Sequence, residues 1–218
     1  MLNKIREPFN GLSHYIAGLF ALAGLITLAI LSWNEPLKKY SLLVYGASLV
    51  LMMMASAAYH SIKAEPERIQ FLRKLDHSAI FVLIAGTYTP LCFNLFTGFW
   101  RWGLLTLVWV IALVGIGFKV FIINTPKWLT ASLYVMMGWL SIAGIGEITQ
   151  VMSPGAISWL VAGGVIYTLG AIVYAAKLFN FKPNVFGYHE VWHLFVVGGA
   201  FCHFMLILLH IALPSAPV

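Results

Sequence analysis

The sequence predicts an all-α membrane protein, a bundle of seven transmembrane helices. Three observations carry that prediction. The 218 residues are 61% hydrophobic and only 9% charged, with a mean hydropathy of +0.90. A soluble domain of this size carries roughly a quarter charged residues, so this chain needs lipid to cover its surface. Seven stretches are long and apolar enough to cross a bilayer, which takes about 20 residues each. Finally, every connection between them is short, so residues 1–218 read as one integral membrane domain.

The first stretch, about 12–33, follows Lys4 and Arg6. It is too long for the apolar core of a signal peptide, and no Ala-x-Ala site precedes Asn34-Glu35-Pro36, so it reads as a retained span. The second, about 41–61, ends in Ser56-Ala57-Ala58-Tyr59-His60. The charged segment Lys63 to Lys74 separates it from the third, about 76–96. Thr97-Gly98 precedes the fourth, about 102–123, and Asn124-Thr125-Pro126 the fifth, about 128–148. Ser153-Pro154-Gly155 precedes the sixth, about 156–178, and the segment Asn180 to Asn184 the seventh, about 189–213. Trp100, Trp102, Trp128 and Trp159 fall near span ends, where an aromatic belt belongs. Small residues such as Gly46-Ala47-Ser48, Gly115-Ile116-Gly117 and Gly163-Gly164 allow close helix approach. Cys92 and Cys202 lie inside spans and read as small buried hydrophobes, with no disulfide framework.

The net charge of +6 does not mark a nucleic-acid binder, because the basic residues sit between apolar runs rather than in a stripe. They carry topology instead. The side of the N-terminus holds ten: Lys4, Arg6, Lys63, Arg68, Arg73, Lys74, Lys119, Lys127, Lys177 and Lys182. The other side holds three, Lys38, Lys39 and Arg101. The positive-inside rule then predicts a cytoplasmic N-terminus and an external C-terminus.

Counting spans also predicts a site. Odd-numbered spans start on the N-terminal side and even-numbered spans end there. His60 closes the second span, Asp76 opens the third, and His189 and His193 open the seventh. His14, with Glu7 and Asn10 ahead of it, opens the first. All of them meet at one membrane face, whichever way the chain is inserted. His189 and His193 are four apart and project from one helix face, a common metal-ligand spacing. With His60 they offer three imidazoles to a zinc ion, leaving the fourth position for water. Asp76 is the candidate base for that water, and Ser56, one turn from His60, can hold the water or a substrate carbonyl. Ionisable groups at membrane depth are costly and default to function, against the simpler reading that these residues flank the interface. Glu7, Asn10 and His14 are expected around the ligands. His203 lies about ten residues deeper than His193 and reads as a surrounding or packing residue, not a ligand. His210, near the far end of the last span, reads as a helix–helix hydrogen bond.

His189-Glu190-Val191-Trp192-His193 also satisfies the HExxH pattern of zinc proteases, in which Glu190 would be the general base. No Asp or Glu follows His193, so a third ligand has to come from upstream, again from His60. Glu190 is therefore read as incidental.

From Glu7 to about His210 the chain resembles the haemolysin III proteins, bacterial members of the progestin and adipoQ receptor superfamily. The resemblance rests on Glu7-Pro8-Phe9-Asn10-Gly11-Leu12-Ser13-His14, Ser56-Ala57-Ala58-Tyr59-His60, Leu75-Asp76-His77-Ser78-Ala79-Ile80-Phe81, Ala85-Gly86-Thr87-Tyr88-Thr89-Pro90 and the pair His189 and His193. It implies a seven-helix bundle in the bacterial inner membrane, with zinc held by His60, His189 and His193 and with Asp76 near the bound water. The receptors of that superfamily are associated with hydrolysis of ceramide-like lipid amides, and the bacterial branch with haemolysis and membrane-lipid homeostasis. The chain lacks the long N-terminal region of the animal receptors, which weakens the case for signalling to protein partners. Three functions follow as expectations: a zinc-dependent hydrolase of a membrane-lipid amide or ester, a lipid-sensing regulator with structural zinc, and a pore-forming haemolysin. The last is the weakest, because a released pore former must first be soluble. A membrane lipid, as substrate or ligand, is the expected partner.

Overall fold

The computed structural model describes residues 5–121, 126–182 and 186–213. Of the expected features, Lys4, the break at Asn124-Thr125, the end of the fourth span at 122–123, Asn184 and the C-terminal residues from 214 lie outside the described residues. Seven apolar helical segments are long enough to cross a membrane. They comprise α1 (Pro8–Leu31), α2 (Pro36–Ser61), α3 (Pro66–Leu95), α4 (Gly98–Phe121), a broken fifth span, α7 (Pro154–Ala176), and α8 (Tyr188–Ile207) continued by a π turn at Leu208–Ala212. The fifth span consists of α5 (Lys127–Gly138), a 3₁₀ segment (Trp139–Gly144) and α6 (Ile145–Val151). Proline stands in the first turn of α1, α2, α3 and α7, where its missing N–H costs nothing.

Two boundaries differ from the sequence expectation. α3 begins at Pro66, ten residues before the expected start at residue 76. The charged run through Arg73 and Lys74 is therefore helix, its long side chains able to carry their charges to the interface. Asp76 thus lies in the third turn of a helix, and only Ile62–Glu65 separate it from α2. The fifth span is the second difference. Its 3₁₀ segment is supported by the Tyr88 hydroxyl, which donates to the Gly138 carbonyl at 2.7 Å and accepts from the Ser141 amide at 2.9 Å. At membrane depth such a break survives only where neighbours satisfy the freed backbone groups.

α1, α2 and α3 pack in sequence, with α4 against the outside of α3. α3 also meets α5, α5 meets α7, α7 meets α8, and α8 returns to α1 to close the ring. Phe20, Phe99, Phe121 and Val114 are among the large apolar side chains that face outward, as a lipid-facing perimeter requires. The buried polar and charged residues include Asn10, His14, Ser56, His60, Asp76, Lys119 and His193, several of them in the first or last turns at the end of the bundle where the N-terminus lies.

Candidate metal centre

His60, His189 and His193 come together as the span count requires. One ring nitrogen from each lies within 4.8 Å of the others. The ring centroids are separated by 4.6 Å (His60 to His193), 5.0 Å (His189 to His193) and 5.1 Å (His60 to His189). His60 and His193 are almost wholly buried, at 1% and 2% exposure, so neither is an interfacial histidine resting in water. Among the described residues, His193 Nδ1 is buried without a hydrogen-bond partner. Three imidazoles converging at one end of the bundle, one with an unmet nitrogen, fit the donor set of a zinc ion.

The residues around them come from three helices. Glu7, the cap of α1, is fixed twice to His60. Its amide donates to the His60 carbonyl at 2.8 Å, and its Oε2 accepts from His60 Nδ1 at 2.7 Å. The same oxygen lies 3.8 Å from His189 Nδ1. Burial alone would raise the Glu7 carboxyl. The hydrogen bond and charge of His60, then Asn10 and His189, outweigh it and hold the group at about 2. Asn10, fully buried, donates to Glu7 Oε2 at 3.1 Å and to Glu190 Oε1 at 3.0 Å. Gly11 lets α1 approach the end of α2, because a Cβ there would fall 2.3 Å from Ser61 Oγ. His14 faces His193 ring to ring at 4.1 Å, and among the described residues both its nitrogens lack a hydrogen-bond partner.

Glu190, read from the sequence as incidental to the HExxH pattern, has a structural role. Its Oε2 accepts from the Gly187 amide at 2.8 Å, capping α8, while its other oxygen holds Asn10. Both oxygens are thus engaged in structure. His203 stands apart from the cluster. It approaches the Leu160 carbonyl at 3.3 Å, packs over Gly163, and lies 5.5 Å from the Tyr167 ring. His210 pairs with Ser153 at 3.3 Å.

The cluster opens into a polar cavity of about 360 Å³. Asp76 and Ser56 line its wall beside His60, as do Glu7 and His14. Arg73, His77 and Thr130 line it too, and sequence reading did not find them. Their signal was available, since Arg73 and His77 stand one turn before and one residue after Asp76. Thr130 accepts a hydrogen bond from the buried Lys119 ammonium at 2.5 Å. An apolar cavity of about 160 Å³ adjoins the first, sharing Met52, Ile80, Ala131, Tyr134, Trp192 and Val196 as lining. It runs past the broken fifth span to Ile142, Ile145 and Val161, all of which are exposed on the bundle's outer surface.

The fold and the cluster together define a class: a multi-pass membrane protein of seven helices, with three histidines gathered at one end that can form a metal site. Comparison with known proteins narrows it. Residues 2–204 match the family model described as haemolysin-III related, and the chain belongs to that family. It is 34% identical over 212 residues to Hemolysin-3 of Bacillus cereus, covering 96% of this chain and 93% of that protein. It is 34% identical over 206 residues to a Hemolysin-3 homolog of Bacillus subtilis, covering 94% and 93%. A more distant relative is an adiponectin receptor protein of Drosophila melanogaster, 23% identical over 228 residues, which cover 92% of this chain and 50% of that protein.

Proposed function

We propose that the protein is a zinc-dependent hydrolase of an acyl-lipid amide or ester, acting from the cytoplasmic leaflet of a bacterial inner membrane in lipid homeostasis. The observation that carries this reading is the junction of the two cavities. A three-histidine cluster borders a polar cavity containing a carboxylic acid, and an apolar cavity continues from it. That is the shape of an amphiphile, with its acyl chain in the apolar part and its carbonyl at the histidines.

Zinc held by His60, His189 and His193 would supply a Lewis acid and a water whose pKa is lowered to ~7. Asp76 accepts the proton of the attacking water and returns it to the leaving amine or alcohol. Ser56, beside Asp76, orients the water or the substrate carbonyl. Arg73 on the same wall provides positive charge, and His77 a hydrogen-bonding group, for the lipid's polar end. Trp192, Tyr134 and Ile80 in the shared lining exclude bulk water from the chain-binding half.

The test is direct. Purified, zinc-loaded protein is offered a panel of ceramides, other acyl amides and phospholipids, and fatty-acid release is measured. No release from any of them ends the enzyme reading. One observation favours a second reading, a lipid-sensing regulator with structural zinc. Glu7 Oε2 lies near enough to His60 and His189 to close the donor set with a fourth protein ligand. The cytoplasmic side is assigned from the basic asymmetry, and reporter fusions in the loop before α3 and at the C-terminus should report opposite sides.

A further inference from the structure

We propose that Glu7 is a positioning residue of the metal centre, and that Asn10 and Glu190 carry its hold across to α8. The inference rests on reading the three histidines as a metal site. It begins with the way α2 ends. The last carbonyls of a helix have no partner within it. Here the chain before α1 supplies two: the Arg6 amide donates to the Ser61 carbonyl at 3.3 Å and the Glu7 amide to the His60 carbonyl at 2.8 Å. Glu7 is therefore placed by the backbone of the residue whose ring it also touches.

A carboxylate can only accept. The 2.7 Å contact from His60 Nδ1 to Glu7 Oε2 thus puts the imidazole proton on Nδ1 and leaves Nε2 as the lone-pair nitrogen. A ligand histidine is commonly held by such a carboxylate on its other nitrogen, which fixes the tautomer and ring orientation and raises basicity. His60 comes from α2 and the other two histidines from α8, so the geometry also depends on how those helices sit together. α1 joins them. Asn10 bonds Glu7 with the same amide nitrogen that reaches Glu190, and Glu190 is tied to the start of α8 through the Gly187 amide. Glu7 is steadied from its other oxygen by Arg6, 3.5 Å away, whose guanidinium lies 4.2 Å from the centre of the Tyr59 ring. The chain His60–Glu7–Asn10–Glu190–Gly187 spans α2, α1 and α8 with a hydrogen bond at every link. The acidic residue of the HExxH pattern is a strut in it.

The experiment compares Glu7→Ala and Glu7→Gln with wild type in the full-length, detergent-purified protein. Zinc affinity is measured by competition with a chromophoric chelator, and the ligand field by the visible spectrum of the cobalt-loaded protein. Helicity and thermal unfolding of the metal-free proteins serve as the folding control. Glu7→Ala should weaken zinc roughly 10- to 100-fold and shift the cobalt spectrum. Glu7→Gln, whose amide oxygen still accepts from Nδ1, should recover most of the affinity. Nitrogen NMR of the metal-free protein should show His60 protonated at Nδ1 in wild type and a tautomer mixture in Glu7→Ala. Wild-type affinity and spectrum in Glu7→Ala would overturn the proposal, leaving Glu7 as a helix start. Loss of metal from both variants as complete as from His60→Ala would also overturn it, making Glu7 a ligand. Wild-type protein that binds no zinc would remove the metal reading itself, an outcome distinct from a normal wild type with unaffected variants.

Discussion

The two cavities meet at a shared wall yet differ in what surrounds them. One is ringed by Glu7, Asp76, Arg73 and five histidines among others; the other is lined mostly by leucine, isoleucine, valine and aromatic residues. Between helices in lipid, apolar burial gives little drive to pack, so an apolar gap there is cheap to keep open. A polar cavity is not, because each ionisable group in it needs a partner or a job. Glu7 has partners in His60 and Asn10. Asp76 and the three clustered histidines are where chemistry is expected. Under the proposed function the polar half would set what is done and the apolar half what is admitted, and each could be altered without the other.

The largest effect should come from removing the ligands. His60→Ala, or His189→Ala together with His193→Ala, should abolish the binding of about one zinc per chain. His210→Ala, in the π turn beyond the far end of α8, should leave it intact. Elemental analysis of the purified proteins decides this, and full zinc in the double variant would dismiss the site. Next comes Asp76→Asn, which keeps size and hydrogen bonding but removes the proposed base. Zinc should stay while turnover falls by roughly 10²–10⁴. Equal turnover would assign the proton transfer elsewhere.

A smaller, selective effect should come from the shared wall. Ala131 lines both cavities and is buried. Ala131→Phe would close the neck between them without touching a histidine. Zinc content should be unchanged, while preference for long acyl chains over short ones falls by roughly fourfold for each methylene no longer buried, at about 0.8 kcal/mol each. A uniform loss across chain lengths would mean that the apolar cavity does not hold the chain.

How much of this was legible in the sequence depends on what kind of signal each part leaves. The span count needed only apolar length, and parity then brought His60 to His189 and His193, because helix ends are few and their sides alternate. The start of α3 was hidden, since charged residues that break an apolar window do not break a helix. The break in the fifth span was hidden too, since the Tyr88 hydroxyl that supports it stands 50 residues from Gly138 in the chain. The structural role of Glu190 was hidden for a related reason. A carboxylate's role is set by what it bonds, and its partner Asn10 is 180 residues away.

The smallest expected effect is therefore also the sharpest discriminator between polar groups that hold and polar groups that react. In the HExxH reading Glu190 is the general base, and Glu190→Gln should cost about 10²–10⁴ in turnover. In the structure both its oxygens are occupied, one by the Gly187 amide and one by Asn10. Glutamine keeps one of those acceptors and turns the other into a donor, so the variant weakens one hydrogen bond of the strut. The scale of such a loss is about 0.5–1.5 kcal/mol. It should appear as a small fall in thermal stability or zinc affinity, with turnover at saturating zinc nearly unchanged. Measured beside Asp76→Asn, the pair separates the two carboxylates. If Glu190→Gln is the crippled enzyme and Asp76→Asn the active one, the base lies on α8, and Asp76 becomes a buried polar group whose role is structural.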